Sequence, residues 1–151
     1  MTVKTRITLD TNILIYAIDR DAGDRHRAAL EVVRRAALAD CVLTLQALAE
    51  FFHASTRKSM LAAAEAMKFV DRWAQVFPVA PAGMDSLSRA MGMVAEHQLS
   101  FWDSMLWATA AEAGCAAILS ENMQDGRTIN NVQIINPFAE DAPVRLDSFL
   151  R

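Results

Sequence analysis

A chain of 151 residues gives room for one domain with a sizeable core and excludes a multidomain enzyme. With 53% hydrophobic and 22% charged residues and only 5 Gly and 4 Pro, the composition is that of a packed globular protein and excludes a disordered tail. Lys+Arg number 15 against 18 Asp+Glu, a formal charge of −3 that speaks against the generally basic surface of a nucleic-acid binder.

Ile7 and Leu9 read as a short strand ending at Asp10, followed by a helix in which Ile13, Leu14, Ala17 and Ile18 recur at helical spacing. A second helix is predicted over Asp24–Ala39, with Ala28, Val32, Ala36 and Leu38 inward and Arg27, Arg34 and Arg35 outward. Cys41-Val-Leu-Thr44 is a buried strand, and Thr44 can cap a helix running through Glu50 to about Arg57. A further amphipathic helix covers Leu61–Trp73, a brief strand Phe77-Pro-Val79, and another helix residues 83–96. Ser100 opens the next helix, which stops at Gly114. Cys115–Leu119 fits a central strand, Ser120–Asn131 a polar segment, and Val132–Ile135 an edge strand closed by Asn136-Pro137. Strands separated by helices define an α/β sandwich with a mainly parallel sheet. Cys41 and Cys115 have no zinc-site spacing and read as buried thiols, while His26, His53 and His97 share no catalytic pattern. No apolar run reaches the roughly 18 residues that cross a bilayer. The start MTVKTRITLD puts Asp10 where a signal peptide has its apolar centre, so a cytoplasmic chain without membrane association is expected.

In open parallel sheets, ligands bind beyond the C-terminal strand ends. Asp10, Glu50, Asp103, Glu121 and Asp125 all map to that edge. Gathered carboxylates repel each other and need a cation, and Mg²⁺ or Mn²⁺ takes oxygen ligands without His or Cys. Each acid also has a plain structural role open to it. Asp10 can cap the helix that follows, Ser100-x-x-Asp103 is a capping-box pattern, and Glu121 and Asp125 can be solvated loop residues. Glu50 sits among Ala47, Leu48, Ala49, Phe51 and Phe52, where an ionised side chain needs a partner unless that face is exposed.

The stretches Leu9-Asp10-Thr11-Asn12-Ile13-Leu14, Phe101-Trp102-Asp103-Ser104-Met105-Leu106-Trp107-Ala108-Thr109-Ala110, Leu119-Ser120-Glu121-Asn122-Met123-Gln124-Asp125-Gly126 and Ile134-Ile135-Asn136-Pro137-Phe138 together resemble the PIN-domain nucleases, above all the VapC-type toxins of bacterial toxin–antitoxin pairs. The resemblance implies a PIN-like α/β/α sandwich forming one domain over 1–151, with its core at about 6–138 and a C-terminal extension at 139–151. It implies a metal-dependent endoribonuclease in which Asp10, Glu50 and Asp103 hold Mg²⁺ or Mn²⁺. It also implies a homodimer and a small antitoxin lying across the apolar helices between residues 47 and 73. Similar toxins commonly read Ser-Glu-Asp after the third strand, whereas this chain has Ser120-Glu121-Asn122. Glu121, Asn122 and Asp125 therefore remain alternatives for completing the site, and Thr11 and Asn12 stand beside Asp10 to orient water or a phosphate oxygen.

The charge divides unevenly along the chain. Residues 1–72 hold 11 cationic against 9 acidic side chains, and residues 73–126 hold 1 against 6. RNA can approach along Arg25, Arg27, Arg34, Arg35, Arg57 and Lys58, with binding weakening as salt rises. Two other readings stay open. A Mg²⁺-dependent phosphatase would use Asp10 as its nucleophile but would want an acid where Asn12 stands, and a catalytically inactive PIN-fold binding module would account for Asn122.

Overall fold

The computed structural model describes residues 5–150. Residues 1–4 and 151, which belong to the expected 1–151 unit and to the start MTVKTRITLD, lie outside the described residues. Strands β1 (Ile7–Leu9), β2 (Cys41–Thr44), β3 (Val79–Ala80), β4 (Ala117–Leu119), β5 (Thr128–Ile129) and β6 (Val132–Ile135) form one sheet in the order β3-β2-β1-β4-β6-β5. All neighbours are parallel except β5 and β6. The helices are α1 (Thr11–Ile18), α2 (Asp24–Ala36), α3 (Leu45–Arg57), α4 (Ala63–Val76), α5 (Met84–His97), α6 (Phe101–Glu112) and α7 (Ala142–Asp147).

Side chains alternate across the strands, and the two faces carry separate cores. Ile7, Leu9, Leu43, Leu119 and Ile135 pack with residues of α1, α2, α3, α4 and α7. Val42, Ile118, Val132 and Ile134 pack with residues of α5 and α6 on the other side. This is the expected α/β/α sandwich. Full burial of each such aliphatic side chain contributes about 1.5–3 kcal/mol. Trp107 of α6, buried in the second core, donates its indole N–H to the carbonyls of Ile129 and Val132, both at 3.1 Å, which ties α6 to the far edge of the sheet.

Four differences from the sequence reading have local causes. Helix α2 ends at Ala36 and Leu38 is 78% exposed, because the chain turns there towards β2 instead of continuing across the core. The third strand is Val79–Ala80, one step beyond the expected Phe77-Pro-Val79; the Pro78 carbonyl still accepts from Leu43 N, but Phe77 is turned into the core as the cap of α4. Strand β6 is not the edge, since β5 pairs with it through a two-residue turn at Asn130 and Asn131, whose φ values of 52° and 63° are the left-handed conformation that such a turn requires. Finally, the extension after residue 138 contains α7, whose Ala142 and Leu146, with Leu150 beyond it, enter the first core.

Candidate active site

Strands β1 and β4 run parallel with Leu9 opposite Leu119, so Asp10 and Ser120 leave the sheet side by side. Strand β2 delivers α3 to the same edge. Thr44 caps α3 by accepting from Ala47 N at 3.0 Å, which fixes the phase that brings Gln46 and Glu50 onto one face a turn apart. Ser100 does the same for α6 by accepting from Asp103 N at 3.2 Å. Asp10, Glu50 and Asp103, though 40 and 53 positions apart in sequence, thereby line one cleft of about 1060 Å³. Thr11, Asn12 and Asn122 line it as well.

The carboxylate of Asp10 caps α1, accepting from Thr11 N at 2.8 Å on Oδ1. Its Oδ2 accepts from Ser120 Oγ at 2.7 Å and from Asn12 Nδ2 at 3.3 Å. Glu50 is oriented from both sides. Thr11 Oγ1 donates to its Oε2 at 3.0 Å and Gln46 Nε2 to its Oε1 at 3.1 Å. The same Gln46 amide reaches the Trp102 carbonyl at 3.0 Å, joining α3 to the start of α6, while its own oxygen is buried without a partner. Burial raises the Asp10 pKa above the ordinary value of 3.8; the bonds from Ser120 and Thr11 pull it down, and the negative charges of Glu50 and Asp103 push it further up. The Asp10 cap anticipated from sequence is formed, whereas of the Ser100-x-x-Asp103 pattern the structure shows the Ser100 half, with Asp103 giving its backbone N–H, and both acids remain in the cleft.

The remaining candidates part company. Glu121 turns away from the cleft, where its carboxylate accepts from Tyr16 Oη at 3.1 Å and from Arg25 Nε at 2.6 Å, and Arg25 in turn lies over the Phe138 ring. Asp125 is gripped by Arg145 of α7 at 2.8 and 2.9 Å and also accepts from Asn136 N. Of the three side chains left as alternatives, only Asn122 faces the cleft. Several of the expected RNA-facing cations are engaged elsewhere: Arg25 with Glu121, Arg27 with Asp24, Arg34 with Glu31 and Arg35 with Asp147. Lys58 and His53 are the basic groups that line the cleft. Sequence reasoning gave no role to Ser120 or Gln46. Ser120 is signalled by its place directly after a strand that pairs with β1, and Gln46 by its i, i+4 spacing to Glu50.

Among the described residues no lysine or arginine forms an ion pair with Asp10, Glu50 or Asp103. Three uncompensated acids around a cleft, with amide and hydroxyl oxygens beside them, are the donor chemistry of a hard divalent ion. Among the described residues no three acidic, histidine or cysteine side chains are already gathered as a metal cluster.

A three-layer sandwich with a mainly parallel central sheet has its ligand crevice beyond the carboxyl ends of the strands, which is where these acids lie. The PIN domain family model matches residues 7–124, and the chain belongs to that family. Its fold is similar to that of a toxin–antitoxin complex from Klebsiella pneumoniae (TM-score 0.63, 19% identity, 87% of this chain and 98% of that one). VapBC2 from Rickettsia felis, solved with a promoter DNA fragment, gives a TM-score of 0.63 at 16% identity over 86% of this chain and 97% of that one. The Mycobacterium tuberculosis toxin VapC20, described as cleaving the sarcin–ricin loop, gives 0.60 at 20% identity over 74% and 86%. No curated protein matches the sequence.

Proposed function

We propose that this chain is a divalent-metal-dependent endoribonuclease and the toxin of a toxin–antitoxin pair. The observation that carries the reading is the convergence of Asp10, Glu50 and Asp103 on one cleft, none of them in an ion pair among the described residues, in a chain of the PIN family. A bound Mg²⁺ or Mn²⁺ supplies charge relief for the phosphoryl oxygens and makes water a stronger acid. Asp10 and Asp103 would hold that ion, with Glu50 as a direct or water-mediated ligand. Ser120 and Thr11 N fix the Asp10 carboxylate in place, and their bonds favour its ionised form against the cost of burial. Glu50, clamped by Thr11 and Gln46, keeps lone pairs on both oxygens, and a spare carboxylate oxygen of the site could accept a proton from the attacking water. Thr11, Asn12 and Asn122 orient the scissile phosphate. Glu121 and Asp125 act in support, the first by anchoring Arg25 and Tyr16 and the second by anchoring α7.

The partners follow from the same reading. An apolar groove of about 480 Å³, lined by Leu48, Phe52, Met67, Val70 and Ala74 among others, lies along α3 and α4 where the antitoxin is expected. The toxin acts in the cytoplasm as a homodimer. No helix among the described residues is long and apolar enough to cross a membrane. Cleavage of single-stranded RNA with saturating Mg²⁺ or Mn²⁺ tests the assignment: Asp10→Asn and Asp103→Asn should each abolish it, and wild-type rates in either variant overturn the assigned ligands. The inactive-module alternative draws on Asn122 and on the lack of a gathered metal cluster among the described residues. Calorimetric titration with Mn²⁺ separates the two, since only the nuclease binds the ion. The phosphatase alternative finds an amide at Asn12, engaged with Asp10 and Ser120, where it needs an acid.

A further inference from the structure

Trp102 is 63% exposed, an unusual state for an indole that also lines the acidic cleft. It is not loosely held. Its backbone carbonyl accepts from Gln46, and its ring meets that of Phe101 edge to face at 4.9 Å with an interplanar angle of 84°. It directly precedes Asp103, so the flat face stands one residue from a carboxylate assigned to the ion. His53 of α3 and Lys58, which caps the end of that helix, line the same cleft.

We propose that Trp102 is a base-stacking platform that holds an unpaired nucleobase of single-stranded RNA next to the scissile phosphate, with Lys58 and His53 drawing in the backbone. This rests on the nuclease reading above and adds to it the part of the substrate that the protein recognises. A stacked base needs a rigid aromatic face within a polar, charged groove, and base–aromatic stacking tolerates any base. The cleft around Trp102 supplies that setting, with Gln46, Glu50, Lys58, Asp103 and Asn122. A protein partner would instead favour a patch whose centre is depleted of charge. Duplex RNA, whose bases are stacked on one another, cannot use the platform.

The experiment measures binding of a short single-stranded oligoribonucleotide to the full chain in EDTA, which halts divalent-dependent cleavage. Wild type is compared with Trp102→Ala and Trp102→Phe, and the RNA with a matched strand whose central nucleotides are abasic. Trp102→Ala should weaken binding of the intact strand roughly 5- to 100-fold. Trp102→Phe should keep most of the affinity, and both substitutions should leave the abasic strand unaffected. Intrinsic fluorescence gives a second readout. Trp73 and Trp107 are 6% and 1% exposed, so quenching by intact RNA and not by duplex reports on Trp102. Equal affinity of wild type and Trp102→Ala for the intact strand overturns the platform and leaves the nuclease reading standing, provided Mg²⁺ or Mn²⁺ still supports cleavage. A change in sedimentation of Trp102→Ala without a change in RNA affinity assigns the indole to a protein contact and also overturns it. A wild-type chain that neither binds nor cleaves single-stranded RNA removes both proposals.

Discussion

Replacing Ser120 by Ala removes one buried oxygen and tests how Asp10 is kept ionised. The Ser120 hydroxyl is fully buried; it donates to Asp10 Oδ2 at 2.7 Å and accepts from Asn122 N at 3.2 Å and Asn12 Nδ2 at 3.3 Å. A hydrogen bond to a charged group is worth about 1.5–3 kcal/mol, and a donor left without its acceptor costs about 1 kcal/mol more unless water reaches it. The expected loss for Ser120→Ala is therefore about 2–3 kcal/mol near pH 7, or roughly 5–10 °C in Tm for a chain of this size. Its pH dependence is the sharper signature. Asp10 has a pKa raised above 3.8 in the folded chain, so the folded state retains its proton more tightly and stability declines as pH climbs from that value through the folded pKa. The Ser120 bond lowers that pKa, and its loss raises it further, which lengthens the decline. Urea denaturation in EDTA should show a smaller deficit near pH 4, where a larger share of Asp10 carries its proton in the fold, than at pH 7. The same deficit at both values, or one below about 0.5 kcal/mol at pH 7, would refute the reasoning.

Two further outcomes follow from the loop after β4 and its support. Arg145→Ala should destabilise the chain by about 1 kcal/mol at pH 7, the scale of a well-formed but partly solvated ion pair. The Arg145 guanidinium holds the Asp125 carboxyl below its ordinary range, so this contribution is present above 3.8 and fades as pH falls through the depressed folded value; equal losses in acid and neutral urea titrations would contradict it. Asn122→Asp adds a fourth carboxylate to the cleft. It should tighten Mn²⁺ binding about tenfold by calorimetry while lowering metal-free stability, and unchanged affinity would place residue 122 away from the ion.

The central strands were legible because Ile7, Leu9, Leu43, Leu119 and Ile135 are apolar runs of the right length between helices with 3.6-residue periodicity. Caps gave the helix starts: Thr44 and Ser100 stand where their side chains accept from the chain three residues on. Strand β5 was hidden because two residues carry no alternation, although the Asn130-Asn131 pair is a turn signal that would have exposed it. Helix α7 was hidden for a related reason: six residues show little periodicity, and its stability comes from tertiary burial of Ala142, Leu146 and the nearby Leu150. At the site, residue types marked which side chains can serve a metal, but not where each carboxylate turns. Glu121 and Asp125 differ from Asp10 through Arg25 and Arg145, cations that come from 96 positions earlier and 20 positions later.

The order of pairing in the sheet also bears on when the site is assembled. A nascent chain that has cleared residue 112 already contains Asp10, Glu50 and Asp103, yet β1 then has only β2 beside it, because its second neighbour starts at Ala117. Ser120, which pins Asp10, is made later still, and α7, which secures the following loop, later again. A ribosome translating this sequence therefore carries all three acids for a time before they are locked in register. The cleft is completed only once strands and a helix well beyond its acids have been made.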